Sequence, residues 1–261
     1  MRSAELFLQL RTPYSALRTQ AMATLRFWFT MFVGLLLALF LGIPAITLSW
    51  LMLKLFGKED VLFPYAKLGA SLWARVAGAR ITVRGRELLD PKQTYLFMSN
   101  HQSNVDPPLH FAHVGHNVGV LAKKEVFKLP ILKQGFPLVH VIPVDRSNRE
   151  AAHRSTQLGV DKLRSGHSLL VYPEGTRSVD GKLKELKKGV FLMGLRAGVP
   201  IVPVVLNDTR LVMRRGETRS RAHDVEMIIL PPIATAGHTE ENVDVLIAQV
   251  REAMLPHVKT D

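Results

Sequence analysis

Apolar and polar positions divide this chain into two unlike parts. From Phe27 to Leu53 the run FWFTMFVGLLLALFLGIPAITLSWLML holds 27 residues without a charge, bracketed by Arg26 and Lys54. As one helix it would be about 40 Å long, more than the ~30 Å hydrocarbon core of a bilayer requires. A buried core helix rarely lacks every charge over such a length. A signal-peptide core is usually only ~7–15 residues long. The pattern therefore predicts a membrane-embedded helical segment. Gly42 and Pro44 fall at its middle, where proline removes a backbone donor. Arg11, Arg18 and Arg26 precede it and Lys54, Lys58 and Lys67 follow, so the positive-inside rule assigns no orientation. Equal cationic flanks favour a helical hairpin bent near Gly42–Pro44 over one straight span. Such a hairpin returns within one leaflet, with Trp28 and Trp50 near the same headgroup layer.

The rest of the chain alternates. After a helical stretch at 61–78, short apolar runs predict strands at 80–84, 94–99, 118–122, 140–144, 168–172, 200–206 and 225–230. Amphipathic runs between them predict helices near 107–114, 125–134, 149–165, 186–197 and 240–255. Gly166 stops the third of these, and Thr239 with Glu240 and Glu241 opens the last with an N-cap and an acidic first turn. The expected fold is α/β: a largely parallel sheet flanked by helices, with the N-terminal membrane-embedded segment attached. Residues 1–60 form the arm and embedded segment, and 61–261 form the globular domain. No internal repeat or low-complexity tract interrupts it.

Composition narrows the chemistry. The absence of cysteine excludes a disulfide framework, a thiolate nucleophile and cysteine-ligated zinc or iron–sulfur sites. The 34 basic residues against 22 acidic give a net charge of +12, which favours anionic partners such as lipid headgroups or phosphorylated molecules. Aromatic residues make up only 7%, and no RNA-binding signature interleaves them with Lys or Arg, so nucleic acid is set aside.

Three polar clusters each follow a predicted strand: NHQSNVDPP at 100–108, DRSNR at 145–149 and PEGTRS at 173–178. In open α/β sheets ligands gather beyond the carboxyl ends of strands, so parallel strands would unite these clusters in one site. His101 and Asp106 lie close enough for the carboxylate to bond imidazole Nδ1–H, leaving Nε2 as a general base. The plainer alternative is that Asp106 caps the helix opening at Pro107. Arg146, Arg149 and Arg177 sit beside strand ends, where guanidinium forks match phosphate oxygens, although each could be simply solvated. Glu174 needs either a partner or a substrate hydroxyl. Lys187 and Lys188 open a helix or attract an anionic carrier.

Taken in order, His101-x4-Asp106, Asp145–Arg146, Pro-Glu-Gly-Thr-Arg at 173–177 and Val-Pro-Ile-Val-Pro-Val at 199–204 closely resemble the glycerolipid acyltransferases. Within these, the bacterial 1-acylglycerol-3-phosphate acyltransferases are the nearest in pattern. The segments AKKEVFK (122–128) and LKKGVFLMGLRAGVPIVPV (186–204) look similar too, and the likeness covers roughly 95–210. Tyr172 stands where phenylalanine often precedes the Pro-Glu-Gly-Thr-Arg block. The resemblance implies acyl transfer from acyl-CoA or acyl-carrier protein, as co-substrate and with no other cofactor, to the sn-2 hydroxyl of 1-acylglycerol 3-phosphate. His101 would be the base and Asp106 its orienting partner. Arg146 and Arg177 would hold the acceptor phosphate. Glu174, Gly175 and Thr176 would complete the substrate-binding block, Glu174 and Gly175 positioning the glycerol. The implied setting is a bacterial-type cytoplasmic membrane, with the domain facing the cytoplasm and touching a membrane lipid acceptor on an anionic surface. Backbone amides near Gly175 are candidates for the oxyanion hole. The alternatives are another lysolipid or glycerol 3-phosphate as acceptor, or a non-catalytic anionic-lipid binding protein.

Other signals carry less. His110, His113 and His116 recur every three residues, but Gly115 interrupts them and no second carboxylate joins, so no metal is expected. Asn207-Asp-Thr209 is a glycosylation sequon in a chain expected to stay in the cytoplasm. Arg210, Arg214, Arg215, Arg219 and Arg221 read as a solvated or membrane-surface basic run. A Gly-x-Ser-x-Gly elbow, a P-loop and a dinucleotide fingerprint are all absent from the sequence.

Overall fold

A computed structural model describes residues 2–145 and 149–260, including the side chains of 17–145, 150–151 and 153–260. In chain order the elements are α1 (Arg2–Leu37), a π-helical turn (Ala38–Gly42), α2 (Ile43–Phe56), α3 (Phe63–Ala77), β1 (Ala79–Arg84), β2 (Leu96–Ser99) and α4 (Asp106–His113). Then come β3 (Val118–Lys123), α5 (Pro130–Gly135), β4 (Ile142–Val144), α6 (Arg149–Arg164), β5 (Ser168–Val171) and α7 (Lys188–Ala197). The chain closes with β6 (Ile201–Asn207), α8 (Thr209–Val212), β7 (His223–Ile229) and α9 (Val243–Met254). Each predicted strand falls within two residues of an observed one. The helix predicted at 125–134 divides into a 3₁₀ turn (Lys124–Lys128) and α5, because Pro130 restarts the helix at its own first turn.

Seven strands form one mixed sheet in the order β1-β7-β6-β2-β5-β3-β4. Strands β6, β2, β5, β3 and β4 run parallel, whereas β7 pairs antiparallel with β6 and carries β1 alongside it. The expectation of a largely parallel sheet therefore holds for the centre and fails at one edge. The link from β6 to β7 holds only the four-residue α8 and lacks the full crossover helix that usually joins parallel neighbours.

Strand alternation sorts the core into two layers. On one face Leu96, Met98, Leu169, Val171 and Ile201 pack against α6, α7 and α9 through Leu163, Phe191 and Leu246. On the other, Phe97, Leu170, Val202 and Leu206 pack against α3 and α4 through Ala74, Ala77 and Leu109. Asn207, of the sequon, is fully buried and bonds the backbone of His257 and Lys259, which ties down the carboxyl-terminal tail.

The amino-terminal segment departs from the expected hairpin. Leu37 and Ile43, flanking the π turn, are both right-handed helical, so the chain passes Gly42–Pro44 without reversing. The wider π register just ahead of Pro44 accommodates a ring and a missing donor that would break a regular helix. Trp28 and Trp50 thus lie about 33 Å apart along one helical run, not side by side. Reversal comes later, where Gly57 adopts φ 62° and ends α2. α3 then returns antiparallel along α1, with Trp73 against Gly34 and Leu41 against Gly69.

This long helix lies against the domain rather than projecting from it. Ser220 N–H donates to the Ala23 carbonyl, Phe27 and Met31 join the second core layer, and Trp50 Nε1–H donates to the Gln134 carbonyl. Its outward face is bare apolar surface, with Leu25 72%, Phe40 78% and Leu55 63% exposed. Leu17–Phe56 is long and apolar enough to cross a membrane.

Candidate functional site

Because β2 and β5 are parallel neighbours, the loops at 100–105 and 172–178 leave the sheet at the same edge. Their backbones interlock. His101 N–H donates to Glu174 Oε1 at 2.7 Å, and Ser178 N–H donates to the His101 carbonyl at 2.7 Å. Asn100 Nδ2–H donates to the Leu206 carbonyl while its Oδ1 accepts from Leu206 N–H, so β6 is fastened to the same loop. Ser103 Oγ–H reaches the Met213 carbonyl.

His101 Nδ1 and Asp106 Oδ2 are 2.6 Å apart, and the carboxylate is wholly buried. The same oxygen accepts from the backbone N–H groups of Gln102 (2.6 Å) and Ser103 (2.8 Å). These contacts show which groups the Asp106 carboxylate bonds. It makes no capping bond to its own helix, whose early positions 107 and 108 are prolines without donors. Asp106 instead gathers the loop backward around the histidine and fixes the ring with Nε2 outward. Tyr172 stacks on that ring at 4.1 Å and 20°. Behind it His110 is fully buried, within 3.2 Å of the Tyr172 hydroxyl, and Nδ1–H donates to the Asp106 carbonyl at 2.8 Å. Burial lowers the His110 pKa to about 4, so this imidazole is neutral. His113 sits 3.4 Å from Ser71 Oγ and His116 3.1 Å from the Asp90 carbonyl, so the three histidines of that repeat face different partners.

His101 opens into a cavity of about 1560 Å³. That exceeds the ~300–1,000 Å³ of common small-molecule pockets. Its deep part is apolar, walled by Leu37 and Leu41 before α2, Trp73 of α3, Phe111 of α4, and Ile131 and Leu132 of α5. Arg177, Lys187 and Arg215 line the cavity together with His101, and Lys123, paired with Glu125 at 3.5 Å, lines it too; no acidic side chain lines it among the described residues. Desolvation, then the neighbouring Arg215, hold the Arg177 guanidinium below its ordinary range, against the pull of Asp106. Arg177 Nη1–H donates to Asn104 Oδ1, and Arg215 Nη1–H reaches Thr176 Oγ1 at 3.3 Å. Two cations held this close mark a place for an anion.

The remaining predicted residues occupy distinct positions. Glu174 is 3% exposed, and its second oxygen accepts from Lys184 N–H at 3.0 Å, so both oxygens are engaged by backbone. Burial pushes its pKa up, against those two amides. Gly175 has φ 69°, and a Cβ there would lie 2.8 Å from Lys187 Nζ, so glycine lets that lysine cross the loop. The Gly175 N–H donates to the Tyr172 carbonyl at 3.0 Å and is thereby removed as an oxyanion donor. Thr176 and Arg177 both line the cavity. Arg146 lies outside the described residues. Arg215 was not singled out in its run of five arginines, because nothing local distinguishes the one that folds back onto Thr176. Arg210 of the same run is buried, and Arg219 and Arg221 pair with Glu217.

Similarity to known proteins extends over most of the chain. The family described as Acyltransferase matches residues 80–207. The 1-acyl-sn-glycerol-3-phosphate acyltransferase of Limnanthes douglasii is 37% identical over 187 residues, covering 70% of this chain and 64% of that protein. The chain thus spans just under two thirds of that plant relative's length. In Caenorhabditis elegans, acl-2 is 31% identical over 189 residues, covering 72% of this chain and 67% of that one. The crystal structure of the 1-acyl-sn-glycerophosphate acyltransferase PlsC from Thermotoga maritima superposes with a TM-score of 0.76. At 23% identity it covers 94% of this chain and 99% of its own, which establishes a shared fold.

Proposed function

We propose, from the premise that this chain belongs to the 1-acyl-sn-glycerol-3-phosphate acyltransferase family, that it acylates the sn-2 hydroxyl of a lysophosphatidate to give phosphatidate. One observation carries the reading: the histidine stands where Arg177, Arg215 and Lys187 meet a large apolar cavity. An acceptor of this class needs those features side by side, for its phosphate, its hydroxyl and its chain.

In the proposed step His101 Nε2 takes the proton as the acceptor oxygen attacks the thioester carbonyl. The C–O bond forms, the C–S bond breaks, and the proton leaves with the thiolate of coenzyme A or the carrier protein. Asp106 holds the ring and balances the imidazolium, a role that needs no covalent acyl-enzyme. Arg177 and Arg215 hold the phosphate, with Arg146 beyond β4 as a further contact. We assign Glu174 to bracing the His101 backbone rather than to the glycerol, since its oxygens are already engaged. The decisive assay compares lysophosphatidate, glycerol 3-phosphate and no acceptor, with acyl-CoA and acyl-carrier protein as donors. Preferred turnover of glycerol 3-phosphate, or thioester loss independent of acceptor, would refute the assignment.

The division into residues 1–60 and 61–261 takes on a functional sense in this reading, the first part seating the second at the membrane. Because the long helix is packed along the domain, the segment would lie within one leaflet with its bare face in lipid. The chain has no native cysteine, so single cysteines at Leu25, Phe40 and Leu55 can carry a fluorophore. Quenchers fixed at different bilayer depths should report similar depths for all three. A deep Phe40 between two shallow flanks would instead mean a span.

A further inference from the structure

The turn joining α2 to α3 ends at the opposite edge of the sheet from His101, beside the starts of β3, β4 and β5. A second, polar pocket of about 240 Å³ opens there, lined by Asp60, Lys67, His116, His140 and His167 among others. His167 immediately precedes β5 and Tyr172 immediately follows it, so this pocket and the His101 site are separated by the length of that strand, about 17 Å.

Asp60, His140 and His167 each offer one ligand atom here, all within 4.8 Å of one another. Asp60 Oδ1 is 2.9 Å from His140 Nε2, and the rings of His140 and His167 stack at 3.7 Å. Glu59 Oε2 lies 3.7 Å from His167 Nε2. The backbone is specialised as well: Asp60 (φ 63°) and His140 (φ 56°) are two of the three non-glycine residues with positive φ among the described residues. Such conformations persist only where surroundings enforce them, and they gather at functional positions. Burial draws the His140 pKa down, with His167 and Lys162 adding to it against Asp60. Neutral imidazole is the metal-binding form.

We propose that Asp60, His140 and His167 form a binding site for a divalent transition-metal ion of the zinc type, with Glu59 in reach as a fourth ligand. Bonds of ~2.0 Å in tetrahedral geometry place ligand atoms about 3.3 Å apart. Asp60 and His140 stand at 2.9 Å and all three ligand atoms within 4.8 Å, and the partly exposed His167 ring turns out of its stack on His140 for both nitrogens to converge on one ion. Imidazole nitrogens with carboxylate oxygens suit zinc, cobalt or nickel rather than magnesium or calcium. The ion replaces the proton shared by Asp60 and His140, and thereby ties the α2–α3 turn to the edge of the sheet. Lys162 Nζ, 3.4 Å from His140 Nδ1, opposes it, since a ring ligated through Nε2 carries its proton on Nδ1 and no longer accepts from the ammonium. The role is structural, remote from the reacting atoms.

The test uses the full-length chain in detergent, with any polyhistidine tag removed and metals stripped by a chelator. Zn²⁺ titration by calorimetry should show one equivalent bound, with a rise in melting temperature. Co²⁺ should give visible absorption without thiolate charge transfer, as befits a chain lacking cysteine. Asp60→Asn preserves shape, and His167→Gln changes a half-buried ring, so both variants should fold, and each should lose the equivalent. His153→Ala, at an exposed histidine elsewhere, should keep it. Lys162→Gln should tighten binding. Absence of stoichiometric binding, binding that survives in Asp60→Asn and His167→Gln, binding without stabilisation, or weaker binding in Lys162→Gln would each overturn the proposal.

Discussion

Glu174→Gln separates two roles that the sequence alone leaves open for this carboxylate. In the wild type one oxygen accepts from His101 N–H and the other from Lys184 N–H, at 2.7 and 3.0 Å. Glutamine keeps one acceptor and turns the other position into a donor, so one amide loses its partner and meets an N–H. A bond to a charged acceptor contributes about 1.5–3 kcal/mol. Part of that is returned, because burial makes ionised Glu174 costly in the first place. A net loss of about 1–2 kcal/mol remains, carried by the loop that aims His101. Expressed as misplacement of the base, it lowers kcat by about 5- to 30-fold. In the bracing role proposed for Glu174 the KM for lysophosphatidate should hardly move, because both carboxylate oxygens are taken up by backbone N–H groups. The assay is steady-state transfer of a labelled acyl group, with kcat and KM measured for both substrates and melting curves confirming a folded variant. An unchanged kcat with a tenfold rise in acceptor KM would refute the bracing role and return Glu174 to the glycerol.

Three further outcomes follow from the same geometry. His101→Ala should lower transfer about 10²–10⁴-fold without altering melting or membrane association, checked on purified protein in vesicles; near wild-type turnover would exclude it as the base. Arg215→Ala should raise KM for a phosphorylated acceptor about 10- to 100-fold, since a charge-assisted contact is lost, while the KM for the thioester stays put. His110, held neutral with its pKa near 4 against 6.5 when unfolded, makes the unfolded chain bind more protons between those values. Stability from this group is therefore complete above about pH 6.5 and falls with acidification, by about 2 kcal/mol at pH 5. His110→Asn should flatten that part of the pH–melting profile, and an unchanged slope would show that another group sets it.

Much of this was legible in the sequence because it depends on local pattern. Strand alternation located the sheet, and His101, Asp106 and Arg177 stood out because their blocks sit at strand ends. Other features depend on contacts between distant segments. Asp60 and His140 are 80 residues apart and have no shared motif, so their meeting is a matter of topology. Arg215 belongs to a run whose members look alike until the chain folds. The Asp106 carboxylate was ambiguous because a cap and a catalytic partner demand the same residue type. The direction of its hydrogen bonds emerges only in the fold. The hairpin expectation fails for a local reason: Gly42 and Pro44 read as a break in sequence, whereas the π turn absorbs the proline.

The long amino-terminal helix forms one wall of the large cavity while its far side is bare apolar surface. A shared wall of this kind changes the dimensionality of supply. Seated in a leaflet, the site would draw its acceptor by lateral diffusion and release product the same way, without a passage through water. Its velocity would then follow the mole fraction of acceptor in the bilayer, and diluting the lipid with inert phospholipid at constant bulk concentration would slow it. Residues such as Phe40 and Leu55, with no part in the chemistry, would in that case govern how the catalyst meets its substrate.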